Sequence, residues 1–168
     1  KVRAGQGDFA NQGMHRARRR RSRRQEPLTV GTRQDALVQH WRVTRDAALV
    51  ESMVGPIAKG VHWIDRKRHA RKTKRNDPAL RGLFPAGVSA EHLGPFDYFY
   101  WDDFWALAGL RSGAELLRAL DQHDAAAEAD RFAAAMWDDV ERSLALTAAR
   151  LGTIAIPAGP RRRVDSGA

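Results

Sequence analysis

The chain of 168 residues contains no cysteine. This absence excludes a disulfide scaffold, a cysteine nucleophile and every zinc or iron–sulfur site that needs thiolate ligands. The sequence also lacks a phosphate-binding loop, a dinucleotide fingerprint and histidines at paired helical spacing, so we expect neither a cofactor nor a metal. No run approaches the ~18 apolar residues of a membrane span, and no secretory leader is visible. We therefore expect a cytoplasmic protein without a membrane partner.

The positive charge of the chain is concentrated at its two ends. The formal net charge is +9, and residues 1–26 hold nine Lys and Arg against Asp8 and Glu26. The last eight residues carry a smaller excess, so the body between the ends is neutral. The run Arg16–Arg24 repels itself and can bury almost nothing. We therefore predict disordered basic tails at 1–32 and 153–168, around a helical domain at 33–152.

The domain between these tails is predicted to be all-α. Apolar residues recur at three- and four-residue steps, and no useful stretch alternates with period two. The first helix of the first hairpin is predicted to begin after Thr32 and to run to Met53, and Gly55-Pro56 is predicted to break the chain before the second helix. The second helix ends in the basic stretch Arg66–Arg75, which we interpret as solvated. A long ordered loop, interrupted by glycine and proline, then leads to a second hairpin.

The segment Phe96–Trp105 is the densest aromatic stretch in the chain. A sugar ring has apolar C–H faces that lie against aromatic rings, and neighbouring hydroxyls that donate to one carboxylate. Trp101 beside Asp102 provides both features, so these two residues with Tyr100 and Asp103 are candidate saccharide-binding residues. The alternative is structural: the aromatic side chains belong to the core, and an aspartate caps free N–H groups where a helix starts.

A catalytic role needs a second carboxylate from elsewhere in the chain. Asp102 and Asp103 point about 100° apart because they are neighbours on one helix. Glycoside hydrolysis uses two carboxyl groups that face each other across the scissile bond. Glu91 is the better candidate for that second carboxylate, because it comes from the loop rather than from the helix.

Three segments together resemble the bacterial six-hairpin glycosidases, whose relatives include trehalases, glucoamylases and processing α-glucosidases. They are Gly82–Gly87 (GLFPAG), Ser89–Pro95 (SAEHLGP) and Tyr98–Trp105 (YFYWDDFW). The resemblance implies an (α/α) toroid in which Trp101 stacks on the sugar next to the scissile bond and Asp102 accepts its hydroxyls. It places Glu91 at the same mouth of the toroid, without a defined role.

Two departures from this family limit what the resemblance implies. The Gly-Gly-Arg-Phe element that precedes the signature in trehalases is missing, so trehalose specificity is not implied. The general acid and base of the family come from later hairpins, and this chain has room for only two of the six. We therefore expect a fragment of a glycoside hydrolase domain, an incomplete toroid that contributes a saccharide-binding loop and is inactive by itself.

Two other functions remain open at this stage. The excess charge of the first tail and the basic stretch of the first hairpin suggest a small helical binding module with a nucleic-acid-binding arginine tail. No aromatic residue interleaves these arginines to stack on bases, which weighs against that interpretation. The third possibility is an interaction protein whose exposed hairpin faces pair with copies of itself or with a partner.

Overall fold

The computed structural model describes residues 26–70, 77–88 and 96–162, and within these ranges the chain is all-α, as predicted. The described residues contain no β-strand; they include one isolated antiparallel bridge, between Gly87 and Asp97. An incomplete toroid stays a prediction. The helices are α1 (Glu26–Thr44), α2 (Ala47–Ser52), α3 (Val54–His69), a single-turn 3-10 helix (Pro78–Leu80), α4 (Tyr100–Ala119) and α5 (His123–Leu151).

The first helix begins earlier than the sequence predicts. α1 starts at Glu26, and Thr32 lies within it instead of at its N-terminal end. Pro27 occupies the first turn, where the missing proline N–H would have no intrahelical acceptor. The predicted boundary between a tail at 1–32 and a domain from residue 33 is therefore wrong, because it falls inside α1. The run Arg16–Arg24 lies outside the described residues.

The predicted long helix up to Met53 is interrupted at two polar residues. Arg45 adopts a left-handed φ of 53°, and the Asp46 side chain caps the first turn of α2. Val43, which the sequence pattern assigns to the same face as Val50 and Met53, is 84% exposed. α3 starts directly after Met53, slightly before the predicted break, and carries Pro56 in its first turn as expected.

α4 is the central helix, and both α1 and α5 pack along it. The close approach of α1 depends on glycine. A side chain at Gly31 would overlap the backbone carbonyl of Trp105, and a side chain at Gly109 would meet the Cα of Gly31. α5 follows α4 after a short turn, which forms the predicted second hairpin.

The core consists of two hydrophobic clusters. One involves α3, α4, α5 and the loop before α4, and the other involves α1, α2, α3, α4 and the start of α5. The first includes Ile64, Leu83, Tyr100, Leu110, Met136 and Val140. The second includes Val38, Val50, Ile57, Leu116, Leu117 and Ala126. The first cluster extends to the beginning of α4 and so packs beneath residues Phe96–Trp105, the aromatic–acidic segment.

The segment that follows α5 packs against the body of the protein. α5 ends at the left-handed Gly152, and beyond it Pro157, Gly159 and Pro160 are buried. The carbonyl oxygen of Ala158 accepts a hydrogen bond from the Tyr100 N–H at 3.0 Å. The predicted disordered tail at 153–168 is therefore wrong for residues 157–162. Residues 163–168 lie outside the described part of the chain.

Candidate saccharide-binding site

The loop before α4 is attached to the first turn of that helix. Asp103 Oδ1 accepts a hydrogen bond from the backbone N–H of Phe84 at 2.8 Å. Gly87 and Asp97 exchange two backbone hydrogen bonds, of 2.8 and 3.0 Å. These contacts fix residues 77–88 against the start of α4, close to the aromatic–acidic segment.

The C-terminal segment holds the same region from a second direction. Arg162 Nε donates to Asp97 Oδ2 at 3.1 Å, and its guanidinium carbon lies 4.9 Å from the centre of the Phe99 ring. The guanidinium of Arg161 lies 5.2 Å from the centre of the Tyr98 ring. Arg150 of α5 donates to backbone carbonyl groups of the same segment at 3.0 and 2.9 Å. The start of α4 is therefore a rigid surface instead of a free helix end.

Tyr100 belongs to the core, which corrects its predicted role in saccharide binding. Its side chain is 1% exposed, and its hydroxyl lies 2.8 Å from Ser143 Oγ and 3.0 Å from Thr147 Oγ1. Ser143 donates its own hydrogen to the carbonyl of Ala79, so the Tyr100 hydroxyl must donate to Ser143 and accept from Thr147. Burial raises the pKa of the Tyr100 hydroxyl, although these hydrogen bonds partly oppose the shift. No surface of this residue remains for a sugar.

Asp103 also has a structural role instead of the predicted binding role. It is 1% exposed, and its hydrogen bond to Phe84 joins the loop to α4. Asp102 is 8% exposed, so it is also mostly buried. Both lie in the first turn of α4, where a negative charge interacts favourably with the helix dipole. The structural alternative that the sequence left open thus accounts for Asp103.

Trp101 is the predicted site residue that the fold presents to solvent. Its side chain is 38% exposed, and its ring meets the ring of Trp105 edge to face with centroids 5.9 Å apart. Phe96 is the other exposed aromatic residue of the segment, at 48%. Glu91, the predicted second carboxylate, lies outside the described residues. Of the two remaining predicted residues in the first turn of α4, Trp101 is thus exposed and Asp102 is mostly buried.

The sequence interpretation missed the ionic contacts beside this site. Arg68 was expected in a solvated basic stretch, yet it is 2% exposed. It donates to Asp139 Oδ2 at 2.8 Å and to the carbonyl oxygen of Gly82 at 3.2 Å. No local signal distinguishes Arg68 from the neighbouring cations, because its partners Gly82 and Asp139 lie on a loop and a helix elsewhere in the chain.

The described residues contain no group of three or more His, Asp or Glu side chains placed to hold a metal ion. None of the helices in the same ranges combines the length and the apolar character needed to cross a membrane. Comparisons of this chain with protein-family models, with curated proteins and with solved structures find no match.

Proposed function

We propose that the start of α4 binds saccharides, with Trp101 as the stacking surface and Asp102 as a hydroxyl acceptor beside it. The observation that supports this proposal is the exposure of Trp101 in a segment where Phe99 and Tyr100 are buried. An exposed tryptophan next to a carboxylate matches both the apolar face and the polar rim of a sugar ring. The resemblance to six-hairpin glycosidases points to the same two residues.

The surroundings of Trp101 favour binding because they limit its freedom. The edge-to-face contact with Trp105 restricts the ring, so little conformational entropy is lost when a sugar stacks on it. Asp102 is mostly buried. A hydrogen bond to a partly desolvated carboxylate is stronger than one to a solvated carboxylate, which favours a hydroxyl donor at Asp102.

The proposal is limited to binding. Asp103 cannot act as the second carboxylate of a hydrolytic pair, because its hydrogen bond to Phe84 holds it in the core. Glu91 remains the candidate for that role on the basis of the sequence. Hydrolysis by this chain within a complete toroid, its cytoplasmic location and nucleic-acid binding through Arg16–Arg24 stay predictions.

The test uses a pair of tryptophans with equal exposure. Trp101 and Trp137 are both 38% exposed, and Trp137 lies on α5 with the Arg111 guanidinium 5.6 Å from its ring centre. A panel of neutral oligosaccharides is titrated by calorimetry and by the NMR shift of each indole N–H. We expect W101A to weaken binding by roughly tenfold, the loss of one stacked aromatic worth ~1.5 kcal/mol, and W137A to leave it unchanged.

A second substitution tests the carboxylate. D102N keeps the shape of the side chain but removes its charge, so we expect weaker saccharide binding, and thermal unfolding checks that the variant is folded. Equal effects of W101A and W137A would contradict the site. A folded protein that binds no saccharide in the panel would overturn the proposed function.

A further inference from the structure

A groove of about 300 Å³ lies between α1 and the α2–α3 segment. This volume is at the lower end of the range found for small-molecule sites. The walls are mainly apolar, with two cationic residues, Arg33 and Lys59, among the lining. The apolar side chains are Val30 and Leu37 of α1, Met53 between α2 and α3, and Pro56, Ile57 and Trp63 of α3.

The groove is preformed because its walls are connected. Gln34 of α1 is 3% exposed, and its Nε2 donates to the carbonyl oxygen of Ile57 in α3 at 3.0 Å. Gly60 faces the same amide; a side chain there would come within 2.7 Å of Gln34 Nε2. Trp63 is stacked on Phe84, with ring centroids 6.1 Å apart. A ligand therefore meets a fixed surface.

The charge of the groove is of one sign. Arg33 and Lys59 line it, and no Asp or Glu occurs among the described lining residues. Neither cation forms an ion pair within the described part of the chain, so each is available to an anion. An apolar groove with two available cations is complementary to a molecule that has an apolar body and a negatively charged end.

We propose that this groove binds a small amphiphilic carboxylate, with its hydrocarbon chain between α1 and α3 and its carboxylate at Arg33 and Lys59. The positive charge of the groove also argues against the N-terminal residues of this chain as its occupant. The arginine-rich residues 1–26 carry an excess of positive charge, so Arg33 and Lys59 would repel them. This site is separate from the saccharide site at the start of α4, and neither proposal depends on the other.

The experiment compares octanoate with octanol and octylamine on the full chain, by calorimetry and by the amide NMR shift of Gly60. These probes share one hydrocarbon chain and differ in the charge of the end group. We expect octanoate to bind most tightly and to shift the Gly60 amide. The double variant R33A/K59A should weaken octanoate roughly fivefold, as expected for two exposed charge contacts. The matched control R66A/R131A removes the same charge from exposed sites outside the groove and should leave the affinity unchanged.

Three results would overturn the proposal. These are octanol or octylamine binding as tightly as octanoate, an equal loss in both double variants, and no Gly60 shift at millimolar octanoate. Thermal unfolding of each variant checks that it is folded. If R33A/K59A is unfolded, the single variants R33Q and K59Q, which keep long polar side chains, replace it with the same expected direction.

Discussion

Arg68 and Asp139 stand 71 residues apart in the chain and form an ion pair of 2.8 Å at the edge of the core. Arg68 also donates to Asp65 on its own helix and to the carbonyl oxygen of Gly82 in the loop. Asp139 accepts a second hydrogen bond, of 2.5 Å, from Arg142. One guanidinium therefore connects α3, the loop before α4 and α5.

Replacing Arg68 with methionine should lower the free energy of unfolding by about 3 kcal/mol, because the carbonyl of Gly82 and the carboxylate of Asp139 lose a buried donor. The control is Arg118→Met. Its partner Asp130 lies 2.5 Å away, but both side chains are half exposed, so we expect a loss below about 1 kcal/mol. Urea unfolding measures both values. Equal losses of unfolding free energy in the two variants would show that the burial of Arg68 does not strengthen its ion pair.

Gly82 and Gly152 distinguish two reasons why a position requires glycine, a left-handed backbone and a lack of space for a side chain. Both have left-handed backbones, with φ of 76° and 66°. A side chain at Gly82 would overlap the Asp139 carboxylate, whereas a side chain at Gly152 meets open space. We expect Gly152→Ala to cost about 1 kcal/mol from the backbone alone and Gly82→Ala to cost clearly more. Thermal unfolding distinguishes them, and similar losses would mean that the loop moves freely away from Asp139.

Alanine substitutions at Gly31 and Gly55 are expected to change the stability of the protein in opposite directions. A Cβ at Gly31 would overlap the carbonyl of Trp105 in α4, while a Cβ at Gly55 has no atom within 4 Å. Gly31→Ala should therefore destabilise the protein by roughly 1–3 kcal/mol through overpacking. Gly55→Ala should be neutral or stabilising by up to about 1 kcal/mol, because alanine loses less backbone entropy. A neutral Gly31→Ala would contradict the close packing of α1 on α4.

The buried hydroxyl of Tyr100 should make the protein less stable in alkaline solution. Burial raises the pKa of its hydroxyl above the ordinary value of 10.0, so the unfolded chain releases this proton at a lower pH than the folded chain. The protonated Tyr100 hydroxyl contributes fully to the free energy of unfolding below that ordinary value. This contribution is lost as the pH rises through the pKa of the folded state. Tyr100→Phe should cost about 1 kcal/mol at neutral pH, from its lost hydrogen bonds.

The measurement is the free energy of unfolding of both proteins from about pH 8 to about pH 11. Other groups also titrate in this range, and the difference between the two proteins isolates Tyr100. The advantage of the natural protein should shrink as the pH rises. A constant difference would contradict a raised pKa in the folded state.

The helical class and the second hairpin were predictable from the sequence because they depend on local spacing. The three- and four-residue steps from Phe104 to Leu151 mark one buried face of each helix, and Pro56 marks the start of another. The break at Arg45 was not predictable in this way. A left-handed arginine has no distinct signal in the sequence, so the pattern continued through it from Val43 to Met53.

The candidate site was only partly predictable for the same reason. The sequence identified the aromatic–acidic segment, but Tyr100, Trp101 and Asp103 are equally plausible there as core or surface residues. The assignment of Tyr100 depends on Ser143 and that of Asp103 on Phe84, and both partners lie elsewhere in the chain.

The sequence by itself therefore determined that this protein is helical and that its charge is concentrated at its ends, and it predicted a site around Trp101. The tertiary structure decided which charges are buried and which aromatic rings face solvent. Arg68 looks like any cation of its basic stretch until α5 brings Asp139 against it. The physical reason is that periodicity acts between neighbouring residues, whereas burial and ion pairing depend on partners brought together only by the fold.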